Sequence, residues 1–323
     1  MIIFLVCTAA TAAFIALLRR APKITNGFLQ QGIPAIGGLG VGAMLFIAAP
    51  LFFLLSAIVS REAQGILLAS FFMFVSGIVD DIKSLSVVAK IVLQLVAAGI
   101  LVFFGIQTRI VYIGSIANIV ITLVWVIGIT NSFNHLDIID GLAACVAAAC
   151  IAAFLFLAVL KADVFIIVLS TILLGGISGF LIFNLPPAKV YFGNTGSHLI
   201  GFIISAIAIN ISYASMENKI ALISPLLILG VPIFDTAFLI FMRLSKGRSP
   251  FMKSNDHIAT RFLRMGMSKW KDLLLMAGWS VFCALSGVFL PYLKFLPGLL
   301  LVISVMTVSG IVFLHAAKAV IND

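Results

Sequence analysis

Long apolar stretches dominate the chain and determine its predicted architecture. About eleven of them approach the ~17 to 25 residues that a helix needs to cross a bilayer, and short polar connections separate them. The predicted spans are residues 2–18, 37–59, 63–79, 87–106, 110–129, 141–160, 164–183, 199–213, 220–242, 273–292 and 295–316. We therefore predict an all-α polytopic membrane protein with about 10–11 transmembrane helices.

Composition agrees with lipid as the main solvent. Hydrophobic residues make up 63% of the 323 residues and charged residues only 10%, whereas soluble domains carry about 25% charged residues. We expect a single transmembrane domain over residues 1–323, whose longest cytoplasmic connection covers residues 243–272.

Basic residues predict the orientation of the spans. The first span is followed, not preceded, by Arg19, Arg20 and Lys23, which favours a retained helix over a signal peptide. With the amino end outside, fifteen of the twenty Lys and Arg residues fall on the inner side, as the positive-inside rule requires. We therefore expect a cytoplasmic carboxyl end in a bacterial inner membrane. The net charge of +9 then reflects topology and anionic ligands, with no nucleic-acid partner.

Polar residues gather in five connections on the predicted inner side. The first carries a glycine run that lets the backbone approach a neighbouring helix or a ligand closely. In the second, the adjacent residues Asp80 and Asp81 stand at the end of a long apolar span. Two adjacent carboxylates favour a nearby cation. Lys90 lies about one turn inside the next span, where an ammonium needs an anionic partner or must reach the interface.

The third connection carries polar side chains at a regular spacing of three. Asn131, Asn134, Asp137 and Asp140 lie on roughly one face if the segment is helical. They form a concentrated set of oxygen ligands and hydrogen-bond acceptors. A solvated loop needs no such regularity, so we interpret the set as functional.

The fourth connection ends one span and opens the next. Pro186 and Pro187 stop the seventh span, and the sequence GNTGS opens the eighth. Free backbone amides at a helix start suit phosphate, which makes Gly193, Gly196 and Ser197 candidate substrate-binding residues.

The fifth connection is the most basic, with eight Lys and Arg residues, Arg261 among them, and it also contains His257. Such a cluster binds anionic lipid headgroups or holds a diphosphate. Asp235 precedes it inside the ninth span, either as a functional carboxylate or as a structural partner. Carboxylates, amides, glycines and cations on one membrane face match phosphoryl transfer, in which Mg²⁺ takes one or two carboxylates plus substrate phosphates.

These segments also carry a family resemblance. GIPAIGG, VDDIKSLS with Lys90, NSFNHLDIIDGLA, NLPPAKVYFGNTGS, VPIFDT, GRSPF and DHIATR stand in this order between Gly32 and about Arg261. The chain resembles the polyprenyl-phosphate N-acetylhexosamine-1-phosphate transferases, the glycosyltransferase family 4 enzymes that include the one forming lipid I of peptidoglycan. The resemblance implies a UDP-N-acetylhexosamine donor, undecaprenyl phosphate as acceptor, UMP as leaving product and Mg²⁺ as cofactor, with the active site on the cytoplasmic face. The product is a lipid-linked sugar diphosphate that starts a cell-surface glycan, and a homodimer is a further expectation.

The resemblance also implies residue roles. Asp80 and Asp81 match a catalytic aspartate pair, Lys90 a phosphate-contacting lysine, and His257 with Arg261 a loop that closes over the donor. The remaining matches are Asn131, Asp137 and Asp140 on the nucleotide and substrate side, with Asn134 and Asn194 at metal-ligand positions.

Three positions depart from the family pattern. Asn194 replaces the metal-ligand aspartate of GDxGS, Gln30 and Gln31 stand where basic and histidine residues are usual, and HIATR replaces a double or triple histidine. A rearranged but active site, an inactivating substitution and a non-catalytic lipid- or nucleotide-binding paralogue all fit these departures. A transporter is the rival from another class, but transporters place their carboxylates near the bilayer midplane, whereas these lie at its predicted inner boundary.

Overall fold

A computed structural model describes residues 1–56, 60–211, 213, 219–249 and 256–319. Its helices are α1 (Ile2–Arg19), α2 (Pro22–Thr25), α3 (Gly37–Ser56), α4 (Arg61–Lys83), α5 (Val87–Phe103), α6 (Gly114–Leu136), α7 (Leu142–Leu160), α8 (Val164–Asn184), α9 (Gly193–Asn210), α10 (Ser224–Ile228), α11 (Gly230–Ser245), α12 (Ile258–Arg264), α13 (Lys269–Phe289) and α14 (Phe295–Ala317). Short 3₁₀ turns cover Asn26–Phe28, Lys219–Ile223 and Leu290–Tyr292. A two-stranded antiparallel pair, β1 (Leu29–Gln30) and β2 (Ile33–Pro34), precedes α3. The predicted all-α polytopic fold is confirmed.

Local capping explains where several helices begin. The side chains of Ser60, Ser86, Asp163 and Ser268 accept hydrogen bonds from backbone N–H groups in the first turns of α4, α5, α8 and α13. Each cap satisfies a donor that has no partner within its own helix.

The number of candidate spans is lower than predicted. Within the described residues, eight helices are long and apolar enough to cross a membrane, and a bent pair brings the number up to nine. The difference arises at α5 and α9. Helix α5 has 17 residues and is therefore only about 25 Å long, while α9 opens with the polar sequence GNTGSH. Helix α4, by contrast, is a candidate span over its full 23 residues.

The predicted span 220–242 is not one continuous helix. Lys219–Ile228 and Gly230–Ser245 meet at an angle of 72°. Pro232 lies just after the break and has no backbone N–H to continue the hydrogen-bond ladder across it. The two parts together are apolar enough for one span, so the structure adds a break that the sequence analysis did not predict.

Helix α9 lies at the centre of the bundle, packed against α3, α4, α6 and α7. Glycines permit its close approach to α3 and α4. A Cβ atom on Gly77 would lie 2.6 Å from Thr195 Cα, and one on Gly38 would overlap the Gly196 backbone. In contrast, only 17% of the α1 span and of the α14 span is buried, so these helices lie at the periphery.

Some predictions concern residues outside the described ranges. Residues 57–59 of the second predicted span, residue 212 of the eighth, and residues 250–255 of the connection 243–272 lie there, including the last two residues of GRSPF. The single-domain organisation stays a prediction.

Candidate active site

The start of α9 is anchored by the glycine-rich first turn of α3. Gly37 and Gly38 donate backbone hydrogen bonds to the carbonyls of Tyr191 and Phe192, at 3.0 and 2.9 Å. Gly193 follows with φ +74°, and an added Cβ there would lie 2.8 Å from Asp81 Oδ2. The sequence left open whether the glycine run approaches a helix or a ligand, and in the structure it brings two backbones together.

Asp81, near the end of α4, caps α9 from the side. Its Oδ1 accepts the Asn194 N–H at 2.8 Å, and its Oδ2 accepts the Thr195 N–H at 2.9 Å and the Thr195 hydroxyl at 2.6 Å. A carboxylate is stabilised at the positive end of a helix dipole. These two amides, which the sequence suggested for phosphate, are therefore already hydrogen bonded by Asp81.

Asp80 and Lys90 form an ion pair beside this cap. Lys90 Nζ lies 2.6 Å from Asp80 Oδ2, and Asp80 Oδ1 accepts the Leu85 N–H at 2.8 Å. Ser84 ends α4 with φ 46°, and the following turn lets α5 fold back so that Lys90 reaches Asp80. The side chain of Asp80 is 2% exposed, against 25% for Lys90. Of the two alternatives that the sequence left open for Lys90, the structure shows an anionic partner, which is Asp80.

An amide cluster connects α6 with α9. Asn134 Nδ2 donates to Asn194 Oδ1 at 2.9 Å and to Ser197 Oγ at 3.0 Å. The position that carries the unusual asparagine is therefore tied directly to another candidate metal-ligand residue. The side-chain amide oxygens of Asn134 and Asn194 carry no charge, so they are weaker ligands for a metal cation than carboxylates are.

Asp137 stands immediately after α6 and close to Asp81. Burial, followed by the negative charge of Asp81, raises the pKa of the Asp137 carboxyl from an ordinary 3.8 to about 7, although a backbone hydrogen bond involving Gly193 acts in the opposite direction. A cation between two such carboxylates would relieve their repulsion. Within the described ranges, no group of three or more His, Cys, Asp or Glu side chains has a metal-binding arrangement. A donor set of one or two carboxylates with amide oxygens still fits Mg²⁺, which completes its shell with water and phosphate.

Asn131 and Asp140, the other two members of the regularly spaced polar set in the third connection, bind side chains of other helices. Asn131 and Gln94 pair through both amides, at 2.7 and 3.3 Å, which joins α6 to α5. Asp140 Oδ2 accepts from Lys269 Nζ at 2.9 Å and from the Ala188 N–H at 3.2 Å. Since α6 extends to Leu136, Asn131 lies within the helix while Asp140 lies beyond it. Their contact with substrate stays a prediction.

His257 is held by the carboxylate of Asp235. Its Nδ1 lies 2.9 Å from Asp235 Oδ2, and Asp235 Oδ1 accepts the Ile258 N–H at 2.9 Å. The His257 ring centroid is 6.0 Å from that of His135, the neighbour of Asn134 in α6. Asp235 thus orients the ring and starts α12, and His135 connects His257 to the α6 end.

Arg261 ties α12 to the end of α14. Its guanidinium donates to Asp256 Oδ1 at 2.6 Å and to the Ala319 carbonyl at 2.7 Å, and it lies over the Phe238 ring at 5.3 Å. The side chain is 1% exposed. These contacts are structural, and a catalytic role for Arg261 stays a prediction.

The sequence did not single out several residues that hold this site. Thr195 and Gln94 bind Asp81 and Asn131 directly, and Asn184 joins Gly141 to Val190. A hydroxyl inside GNTGS and a lone amide in an apolar span were the available signals. Their partners are distant in sequence, so no local pattern could identify them.

Comparison with known proteins identifies the family of this chain. The model described as "Glycosyl transferase family 4" matches residues 63–212, which include Asp80, Asp81, Lys90, Asn134 and Asn194. A probable undecaprenyl-phosphate N-acetylglucosaminyl 1-phosphate transferase of Bacillus subtilis is 32% identical over 254 residues, covering 76% of this chain and 69% of the relative. The chain belongs to glycosyl transferase family 4.

Other relatives in glycosyl transferase family 4 have related names. A decaprenyl-phosphate N-acetylglucosaminephosphotransferase of Mycolicibacterium smegmatis is 30% identical, covering 77% of this chain and 70% of the relative. A phospho-N-acetylmuramoyl-pentapeptide-transferase of Bacillus cytotoxicus is 27% identical, covering 86% of this chain and 91% of the relative. The resemblance drawn from the motifs is confirmed, and the chain is a multi-pass membrane protein of this family.

Proposed function

We propose that the chain transfers an N-acetylhexosamine-1-phosphate from a UDP-sugar to undecaprenyl phosphate. The observation that carries this proposal is the meeting of the α4 and α6 ends with the α9 start. This meeting gathers two aspartates, a lysine and two asparagines that the family match includes. The names of the bacterial relatives supply the polyprenyl acceptor and the N-acetylglucosamine phosphate.

The reaction is a displacement at phosphorus. An oxygen of the polyprenyl phosphate attacks the sugar-bearing phosphorus of the donor, and the bridging P–O bond to the nucleotide breaks. UMP leaves with the bridging oxygen, and a lipid-linked sugar diphosphate is formed. A phosphate monoester is mostly dianionic at neutral pH, because its second pKa is about 6. Positioning and charge neutralisation are therefore the main demands on the protein.

Lys90 supplies positive charge for the acceptor phosphate. Its ammonium is one-quarter exposed while Asp80 beneath it is buried, so an incoming phosphate reaches Lys90 first. Before the phosphate arrives, Asp80 sets the position of the ammonium through their 2.6 Å contact.

Asp81, Asp137, Asn134 and Asn194 are the residues that would hold Mg²⁺. The raised pKa of Asp137 beside Asp81 supports a cation at this place. When bound, Mg²⁺ supplies neutralisation of the donor phosphates. Asn194 contributes an amide oxygen where a carboxylate is usual in the family, so Asp81 and Asp137 carry the charge of the site.

His257 faces the donor side in this proposal. Asp235 holds its Nδ1, so Nε2 is directed away from that carboxylate and is free to contact a diphosphate. The basic segment around His257 supports the same location for the nucleotide.

The membrane arrangement follows from the basic-residue pattern. We place the protein in the inner membrane with its amino end outside and its carboxyl end and active site on the cytoplasmic side. A cytoplasmic site gives access to soluble UDP-sugars. A homodimer remains a prediction.

The experiment is transfer of labelled sugar phosphate to undecaprenyl phosphate by the purified protein, using a panel of UDP-N-acetylhexosamines with and without Mg²⁺. Metal-dependent lipid product identifies the donor and supports the proposal. An Asp81→Asn variant, prepared in parallel, distinguishes turnover at this site from a contaminating enzyme. A folded protein that binds polyprenyl phosphate without turnover favours the non-catalytic alternative.

A further inference from the structure

A small pocket lies behind the Asp80–Lys90 ion pair, between α4, α5 and α9. Asp80, Lys90, Ser76, Gln94 and His198 contribute its polar lining. The pocket is therefore continuous with the pair that meets the acceptor phosphate, but it lies on the buried side of that pair.

His198 is the polar group in this pocket whose role is unexplained. Its side chain, in the second turn of α9, is 2% exposed, and its Nε2 atom has no hydrogen-bond partner within the described part of the chain. A buried polar atom without a partner destabilises the fold, because it has lost its hydrogen bonds to water. Such an atom in a native fold needs an explanation, and a role during the reaction is one.

The other polar groups that line the pocket have partners. Ser76 Oγ donates to the Met73 carbonyl at 2.8 Å, and the Gln94 amide is paired with Asn131. Asp80 Oδ1 accepts the Leu85 N–H, which leaves Oδ2 held by Lys90. Within the described residues, His198 Nε2 is thus a nitrogen without a partner, on a residue that lines the same pocket as Asp80.

Binding of the acceptor phosphate to Lys90 would remove the ion-pair partner of Asp80. If Lys90 turns its ammonium to a phosphate dianion, the buried Oδ2 of Asp80 loses its 2.6 Å partner. An unpaired carboxylate would then lie next to an incoming anion, which opposes binding. A neutral imidazole with its proton on Nε2 can replace the lost contact without adding a charge.

We propose that His198 is a positioning residue, which takes the Asp80 carboxylate when Lys90 binds the acceptor phosphate. This inference rests on the proposed function, since it needs a phosphate on Lys90. His198 itself does not touch the substrate in this account. It keeps Asp80 oriented, so that Lys90 is free to serve the acceptor.

The kinetic test compares His198→Leu with His198→Gln. Leucine removes the donor, whereas glutamine retains an N–H at a similar distance from the backbone. We expect His198→Leu to lower kcat/KM for polyprenyl phosphate about tenfold, with KM for the UDP-sugar changed by less than about twofold. His198→Gln recovers most of the loss. Equal loss in both variants, or no loss in His198→Leu while the wild type turns over, overturns the inference and leaves the proposed function standing.

A binding measurement tests the inference without turnover. Nitrogen NMR of the full-length protein labelled with ¹⁵N-histidine, with His198→Gln used for assignment, follows Nε2 during addition of a short-chain polyprenyl phosphate. The expected result is a shift of the His198 Nε2 signal that is absent in Asp80→Asn. An unchanged signal, or the same shift in Asp80→Asn, overturns the inference. Failure of the proposed function is seen separately, as no lipid product from any UDP-sugar.

Discussion

Thr195 donates two hydrogen bonds to Asp81, from its backbone N–H at 2.9 Å and from its hydroxyl at 2.6 Å. One carboxylate therefore both caps the central helix and stands at the proposed reaction centre. Two substitutions of Asp81 are therefore needed to separate its effect on stability from its effect on transfer.

Asp81→Ala and Asp81→Asn should differ in stability while both lose transfer. Alanine leaves the N–H groups of Asn194 and Thr195 without their acceptor, which we expect to lower the free energy of unfolding by about 1–3 kcal/mol. Asparagine retains one acceptor oxygen and removes the charge. Thermal unfolding in detergent and transfer per folded molecule measure the two effects. Wild-type turnover in Asp81→Asn would contradict the assigned role.

Asn194→Asp should strengthen metal dependence. Asn134 Nδ2 already donates to the oxygen at this position, so a carboxylate keeps the contact and adds a negative charge near Asp81 and Asp137. We expect half-maximal activity at a roughly tenfold lower Mg²⁺ concentration. Asn194→Ala, which lacks the acceptor, is the matched control and should weaken the response. An Mg²⁺ titration that is unchanged in Asn194→Asp would show that other residues already hold the metal.

The Asp137 carboxyl should make metal-free stability depend on pH. Because its folded pKa is raised to about 7 from 3.8, the folded state binds the proton more tightly than the unfolded state. Stability is then greatest below the ordinary pKa and falls as pH rises towards 7. Unfolding midpoints of wild type and Asp137→Asn in Mg²⁺-free buffer measure this, and the decline should be smaller in Asp137→Asn. Parallel pH profiles would contradict the assignment.

The sequence predicted the helical spans well because their signal is local. Runs of apolar residues identify α1, α7, α8 and α14 to within about two residues. The sequence did not predict the break before Gly230. A proline such as Pro232 breaks some transmembrane helices and is tolerated within others, so its presence alone does not predict a break.

The candidate site was located by its motifs but not resolved into contacts. Asp81 and Asn194 are separated by 113 positions, and only the packing of α4 on α9 decides that they meet. The same holds for Asn131, whose regular spacing indicated a ligand but whose partner is Gln94 on α5. Burial of His198 depends on three helices at once, so no local pattern could have selected it.

Substitution of Arg261 distinguishes a structural role of this residue from a catalytic one. Arg261→Ala removes a buried partner of Asp256, and breaking such a pair costs about 3–5 kcal/mol. We expect a large fall in the unfolding midpoint, with an equally large effect from Asp256→Asn. His257→Gln should lower transfer with a much smaller change in stability. A stable Arg261→Ala protein without activity would instead place Arg261 in the chemistry.

Close packing of α4 on α9 should tolerate no side chain at Gly77. A Cβ atom there would lie 2.6 Å from Thr195 Cα, so Gly77→Ala must displace the start of α9 and with it the Asp81 contacts. We expect loss of transfer together with lower stability. Gly99→Ala in α5 is the control, because nothing lies within 4 Å of its Cβ position and alanine favours a helix by about 1 kcal/mol. Equal behaviour of the two variants would contradict the packing argument.

In the proposed reaction the protein transfers a sugar phosphate, and the nucleotide leaves as UMP. The most direct test of this reaction uses UDP-N-acetylglucosamine labelled with ³²P on either the α- or the β-phosphate, incubated with purified protein, Mg²⁺ and undecaprenyl phosphate. We expect the β-label to enter the lipid fraction and the α-label to be released in UMP. Entry of both labels into lipid, or of neither while the folded protein binds the acceptor, would contradict the proposed reaction.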